Sequence, residues 1–112
     1  MDSHTDDAIA HPMLRLLAED ETVHLVARAA DAHLLVTDRR LAIASDDRIT
    51  LDIAFDGLRR IQFDIERERP ATLVVVPMSP SDEPQVLAVP PDRYDEVTRA
   101  LAVIGHKLRA LG

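Results

Sequence analysis

A chain of 112 residues has the length of one domain, and burying roughly 65% of the surface its unfolded form exposes is enough for a single core. Hydrophobic residues make up 46% of it and charged residues 29%, a globular balance, and the absence of cysteine excludes disulfides and thiolate metal sites. A net charge of -7 opposes nucleic acid phosphates and anionic lipid unless the basic residues gather on one face, and an aromatic content of 3% leaves few rings for stacking bases.

The N-terminal MDSHTDDAIAHPM is acidic and lacks both the basic and the apolar regions of a secretory signal. No apolar run reaches the roughly 20 residues a membrane-spanning helix needs. A soluble, cytoplasmic protein is expected, with residues 1–12 a flexible tail and residues 13–112 a single domain. MLRLLAED, from Met13 to Asp20, places Leu14 and Leu17 at helical spacing and predicts a short helix. The period then changes to two. Val23, Leu25 and Ala27 alternate with His24, Val26 and Arg28, as in a strand with one buried face, and a turn follows at Asp31.

HLLVTDRRLAIAS reads as a tight hairpin: one strand from His33 to Thr37, a turn at Asp38 and Arg39, and a second strand from Arg40 to Ser45. After the SDDR turn, Ile49, Leu51, Ile53 and Phe55 alternate with Thr50, Asp52 and Ala54 in a half-buried strand that Gly57 breaks. Ile61, Phe63 and Ile65 repeat the pattern as far as the charged ERERP. ATLVVVPM and QVLAVP are two more strands, joined by the Pro- and Ser-rich SPSDEP. A long C-terminal helix begins near Asp92, a fitting N-cap, carries Asp95 and Glu96 in its first turn, and ends at Gly112. Its apolar stripe is Tyr94, Val97, Leu101, Ile104, Leu108 and Leu111, spaced either to cap a core or to form a seam between subunits; the core role is favoured.

Seven antiparallel strands followed by an amphipathic helix make a mainly β (α+β) chain that resembles the bacterial pleckstrin-homology-like and GRAM-related domains. The resemblance rests on LLAEDETV, on HLLVTDRRLAIA and on LDIAFDGLRRIQF, and with the final helix it covers residues from about 14 to 111. It implies a seven-stranded barrel capped by the helix, and a binding or assembly module rather than an enzyme. The chain departs from the phosphoinositide-binding members, which carry a basic cluster at the first hairpin. Here the segment is ARAADAH, in which Arg28 and His33 flank Asp31. Membrane lipid is therefore disfavoured.

The candidate ligand- or partner-binding residues are Arg28, His33, Arg39 and Arg40. Arg40 matches the family's hairpin arginine and is expected to brace the turn through an ion pair or its stem. Arg39, Arg40, Arg48, Arg59 and Arg60 would form a basic patch only if they met on one face. Five histidines are spread over the chain without metal-ligand spacing, although His24 and His33 could face each other across the first hairpin. Three glycines form no phosphate-cradling loop, and Ser45, Ser79 and Ser81 lie outside any nucleophile elbow. No catalytic residue, cofactor or metal is expected. The expected partner is a protein or a second copy of the chain, not nucleic acid. The alternative is a small ligand or lipid headgroup at the open end of the barrel.

Overall fold

The computed structural model describes residues 17–45, 48–65 and 70–111. Seven strands run in chain order: β1 (Val23–Arg28), β2 (His33–Thr37), β3 (Arg40–Ser45), β4 (Arg48–Ala54), β5 (Leu58–Asp64), β6 (Ala71–Pro77) and β7 (Gln85–Val89). The helix α1 (Tyr94–Leu111) follows. All strand pairings are antiparallel, in the orders β1-β2-β3-β4 and β5-β6-β7. The architecture is thus mainly β, in two sheets with a C-terminal helix.

The expected barrel is corrected to two sheets that do not close. Closure needs a continuous ladder around the fold. Between β4 and β5 the chain instead forms a short 3-10 turn, Phe55–Gly57, which buries Phe55 and breaks the ladder. On the other side one main-chain bond connects the sheets, from the Ala30 N–H to the Ala88 carbonyl at 2.8 Å. Of the short helix expected over Met13–Asp20, residues 13–16 lie outside the described residues, as does the tail at 1–12. Leu17 and Ala18 are not helical, and Glu19 and Asp20 form a turn.

The principal core lies between the sheets and under α1, and contains Leu34, Val36, Leu41, Ile43, Leu73 and Val75 among its buried residues. The runs LLV in β2 and LAIA in β3 have no polar alternation because both faces of these strands are buried. Leu35, Ala42 and Ala44 face away from the principal core, and Leu17, Val23, Val26 and Ile49 pack against them.

Two bulges correct the expected alternation. A register shift between Val23 and Leu25 puts Val23 with Val26 rather than with Leu25. A second, opposite Ile43 and Ala44, leaves Thr50 as the extra residue and turns Ile49 away from Leu51. An inserted residue reverses the face of everything beyond it. Ile65, expected inside a strand, falls just after β5 and is 59% exposed.

Helix α1 packs on β1, β2 and the Phe55–Gly57 turn. Val97, Ala100 and Ile104 are buried, while Tyr94, Leu101, Val103 and Leu108 are partly buried against the core, so the stripe caps the core. The Leu111 side chain lies outside the description. The ring of Tyr94 meets Phe63 edge-on, centroids 5.6 Å apart, tying the start of the helix to β5. Asp92 is not the N-cap: it lies inside a 3-10 turn, Pro91–Arg93, that leads directly into the helix.

Candidate functional site

The β2–β3 turn has two residues, Asp38 and Arg39, as the hairpin reading expects. Thr37, fully buried, organises it: its Oγ1 accepts the N–H groups of Arg39 and Arg40, both at 3.0 Å, and donates to Glu21 Oε2 at 2.6 Å. Arg40 Nε donates to the same Glu21 oxygen at 2.9 Å, and its guanidinium reaches Asp52 at 3.3 Å. The Ala18 N–H donates to the other Glu21 oxygen at 3.0 Å. The Glu21 side chain is fully enclosed. Burial pushes its carboxyl up, but the bonds from Thr37, Ala18 and Arg40 outweigh that and hold it below the ordinary glutamate range.

Asp38 fastens the segment before β1 to the same turn. Its N–H donates to the Thr22 carbonyl, and its carboxylate accepts the Thr22 N–H, both at 2.9 Å. Arg39 pairs with the exposed Asp20 at 2.7 Å, and that bond keeps the Asp20 carboxyl below its usual range. The turn is therefore a polar clasp.

At the other end of β2, roughly 13 Å away at about 3.3 Å per residue, the last residue of β1, Arg28, pairs across the ladder with His33. Helix α1 reaches this corner through Glu96. The Arg28 N–H donates to Glu96 Oε1 at 3.0 Å, and its guanidinium meets Oε2 at 3.2 Å. Arg93 meets Oε2 at 2.7 Å. Burial raises the Glu96 carboxyl, but the bonds from the two arginines win and lower it. His33 is held below its ordinary value by burial and by the Arg28 charge, with Glu96 opposing.

The four candidate residues thus fall into two groups, Arg28 with His33 and Arg39 with Arg40, at opposite ends of β2. All three arginines are engaged by carboxylates. The five arginines of the wider set do not share one end of the fold's first sheet: Arg48 pairs with Ser45 at the end of β3 and β4 remote from Arg40, while Arg59 and Arg60 lie on β5 of the other sheet. His24 does not face His33, since it lies at the β1 bulge near Thr37.

Sequence reasoning missed the carboxylates that occupy the arginines. Glu21 lies 16 residues from Thr37 and Glu96 lies 68 from Arg28, beyond any local periodicity. The acidic residue within LLAEDETV was the one available signal, and it did not name Arg40 as its partner.

One cleft, of about 210 Å³, opens where the sheets part. Asp31, Ser45 and Thr50 stand on one wall and the stretch from Gln85 to Ala88 of β7 forms the other. Ser45 Oγ donates to the Asp31 carbonyl at 2.9 Å, and Gln85 Nε2 reaches the Thr50 carbonyl at 3.5 Å. Among the described residues no group of His, Asp and Glu could hold a metal ion, and no helix is long and apolar enough to cross a membrane.

No family model matches the chain. No curated protein matches it either. Among solved structures it is similar to a crystal structure, at 1.99 Å resolution, of a pleckstrin homology domain from Shewanella amazonensis SB2B. The superposition has a TM-score of 0.66 at 17% identity, and covers 99% of this chain and 100% of that one. Likeness over the whole of both chains at that identity concerns architecture, and on it the chain has the pleckstrin homology fold.

Proposed function

We propose that residues 13–112 form a non-enzymatic module that recognises protein, either a heterologous partner or a second copy, and that it does not recognise membrane lipid. The observation that carries this reading is the engagement of Arg28, Arg39 and Arg40 by Glu96, Asp20, Glu21 and Asp52. A phosphate ligand would have to displace these carboxylates, each already held by charge-assisted hydrogen bonds. The cleft offers such a ligand an acid, Asp31, in place of a cation. Its other wall is the strand β7 from Gln85 to Ala88, at the edge of a sheet, which suits a polypeptide.

Two measurements made together test the reading. In the first, vesicles containing phosphatidylserine or a phosphoinositide are sedimented with the protein at physiological salt, and the protein stays in solution. In the second, the tagged chain is used to capture proteins from its native host, and a captured protein, purified separately, binds it saturably. Micromolar vesicle binding that is lost in Arg28→Glu overturns the proposal and installs lipid recognition.

A further inference from the structure

Strand β7 is the outer strand of its sheet, and its free edge lines the cleft. The Ala88 carbonyl points to that edge, because it accepts the Ala30 N–H across the gap instead of bonding to β6. Main-chain groups of residues two apart on a strand point the same way. Val86 therefore directs both its N–H and its carbonyl to the free edge, and Ala88 adds a second N–H. Among the described residues, no hydrogen bond to these three groups crosses that edge. An open row of this kind is a template for one more strand.

The side chains around the edge indicate what kind of strand. Val86 is 66% exposed and pairs with the partly exposed Val74 of β6, so the middle of the edge has an apolar outer face. Acids mark both ends: Asp82 and Glu83, exposed, precede β7, and Asp31 stands by the cleft near Ala88. No described ion pair involves Asp31, Asp82 or Glu83. A second copy would bring another -7 and the same acids to this edge. A segment with cations around an apolar centre is complementary to it.

We propose that the free edge of β7 takes an extended, lysine- or arginine-bearing segment of a partner protein as an added strand, centred on Val86. This rests on the protein-recognition reading above and deepens it. The edge then gains main-chain hydrogen bonds from the added strand, while the acids at its ends select basic sequences.

The probe is the acetylated, amidated peptide Lys-Val-Lys-Val-Lys-Val, titrated into the isotope-labelled chain and followed by NMR. The expected result is saturable shifts at Asp31 and from Val86 to Ala88, with exchange of the Val86 amide slowed at least tenfold. The same peptide with every amide methylated binds at least tenfold more weakly, a control that leaves the protein untouched. Val86→Pro removes an edge donor without removing a ladder bond, so it folds and loses binding at least tenfold. Asp31→Lys also weakens binding. No saturable shift, or shifts mapping elsewhere, overturn the inference. So do edge signals that respond to protein concentration alone, which would identify a second copy as the occupant. Capture of the same host protein by wild type and by Val86→Pro overturns the edge site and leaves protein recognition standing; vesicle binding without protein capture overturns both.

Discussion

Replacing Glu21 by alanine removes the centre of the clasp. Three bonds go with it: from Thr37 Oγ1 at 2.6 Å, from Arg40 Nε at 2.9 Å and from the Ala18 N–H at 3.0 Å. Breaking a buried ion pair by deleting one partner costs about 3–5 kcal/mol. Arg40 is 23% exposed and keeps Asp52, which lowers that cost by about 1 kcal/mol, to about 2–4 kcal/mol. Against a total of about 5–15 kcal/mol this is a large share. At about 5 °C per kcal/mol the midpoint falls by about 10–20 °C. The chain has no tryptophan and one tyrosine, so urea unfolding is best followed by far-UV circular dichroism, with the m-value held as a check on two-state behaviour. Thr37→Val made alone and with Glu21→Ala completes a cycle, whose expected coupling is about 1–2 kcal/mol. A Glu21→Ala loss under about 1 kcal/mol with no coupling to Thr37 would refute the clasp as a stabilising unit.

Ile104→Asp, at a fully buried position of α1, should leave the chain largely unfolded, whereas Leu101→Asp, only partly buried, should cost less and still melt cooperatively. Because Glu21 and Glu96 are held below their ordinary 4.5, the unfolded chain takes up protons first, so stability present above about pH 4.5 is lost as pH falls. Denaturant midpoints measured in that range should fall less steeply in Glu96→Gln. His33, held below 6.5, adds a loss that begins as pH falls below about 6.5, and urea midpoints of His33→Gln should lack it. Chelator should leave the thermal midpoint unchanged, as a melt with and without it will show.

The β2–β3 hairpin was legible because all its determinants are local: two apolar runs and a two-residue polar turn fix the register between them. The strands that alternate were legible as strands, but the orientations of Val23 and Ile49 were not. A bulge is created by pairing with a neighbour, and nothing in VHLV or ITLDI marks which residue will be extra. The helix stripe was readable from its large residues, yet its deepest contacts include Ala100, whose small side chain carries little periodic signal. At the candidate site, the arginines could be named but not their state. Arg28 looks like a free cation in the sequence, and Arg40, though expected to brace its turn through an ion pair, has no named partner there; only the fold brings Glu96 and Glu21 to them. The cleft was invisible for the same reason, since its walls belong to segments some 40 residues apart that meet where two sheets fail to close.

The doubly buried runs of β2 and β3 also shape how the chain behaves before it folds. LLV and LAIA are apolar and uncharged, and in an unfolded molecule they are exposed segments able to stack with copies of themselves. Each is bounded by charge: Asp38, Arg39 and Arg40 stand between them, and Asp46, Asp47 and Arg48 follow. Charged residues at such borders act as gatekeepers against aggregation. The turn that clasps the folded hairpin therefore serves the nascent chain as well, and neutralising Asp38, Arg39 and Arg40 together would lower the yield of soluble protein by more than the lost folded-state bonds alone account for.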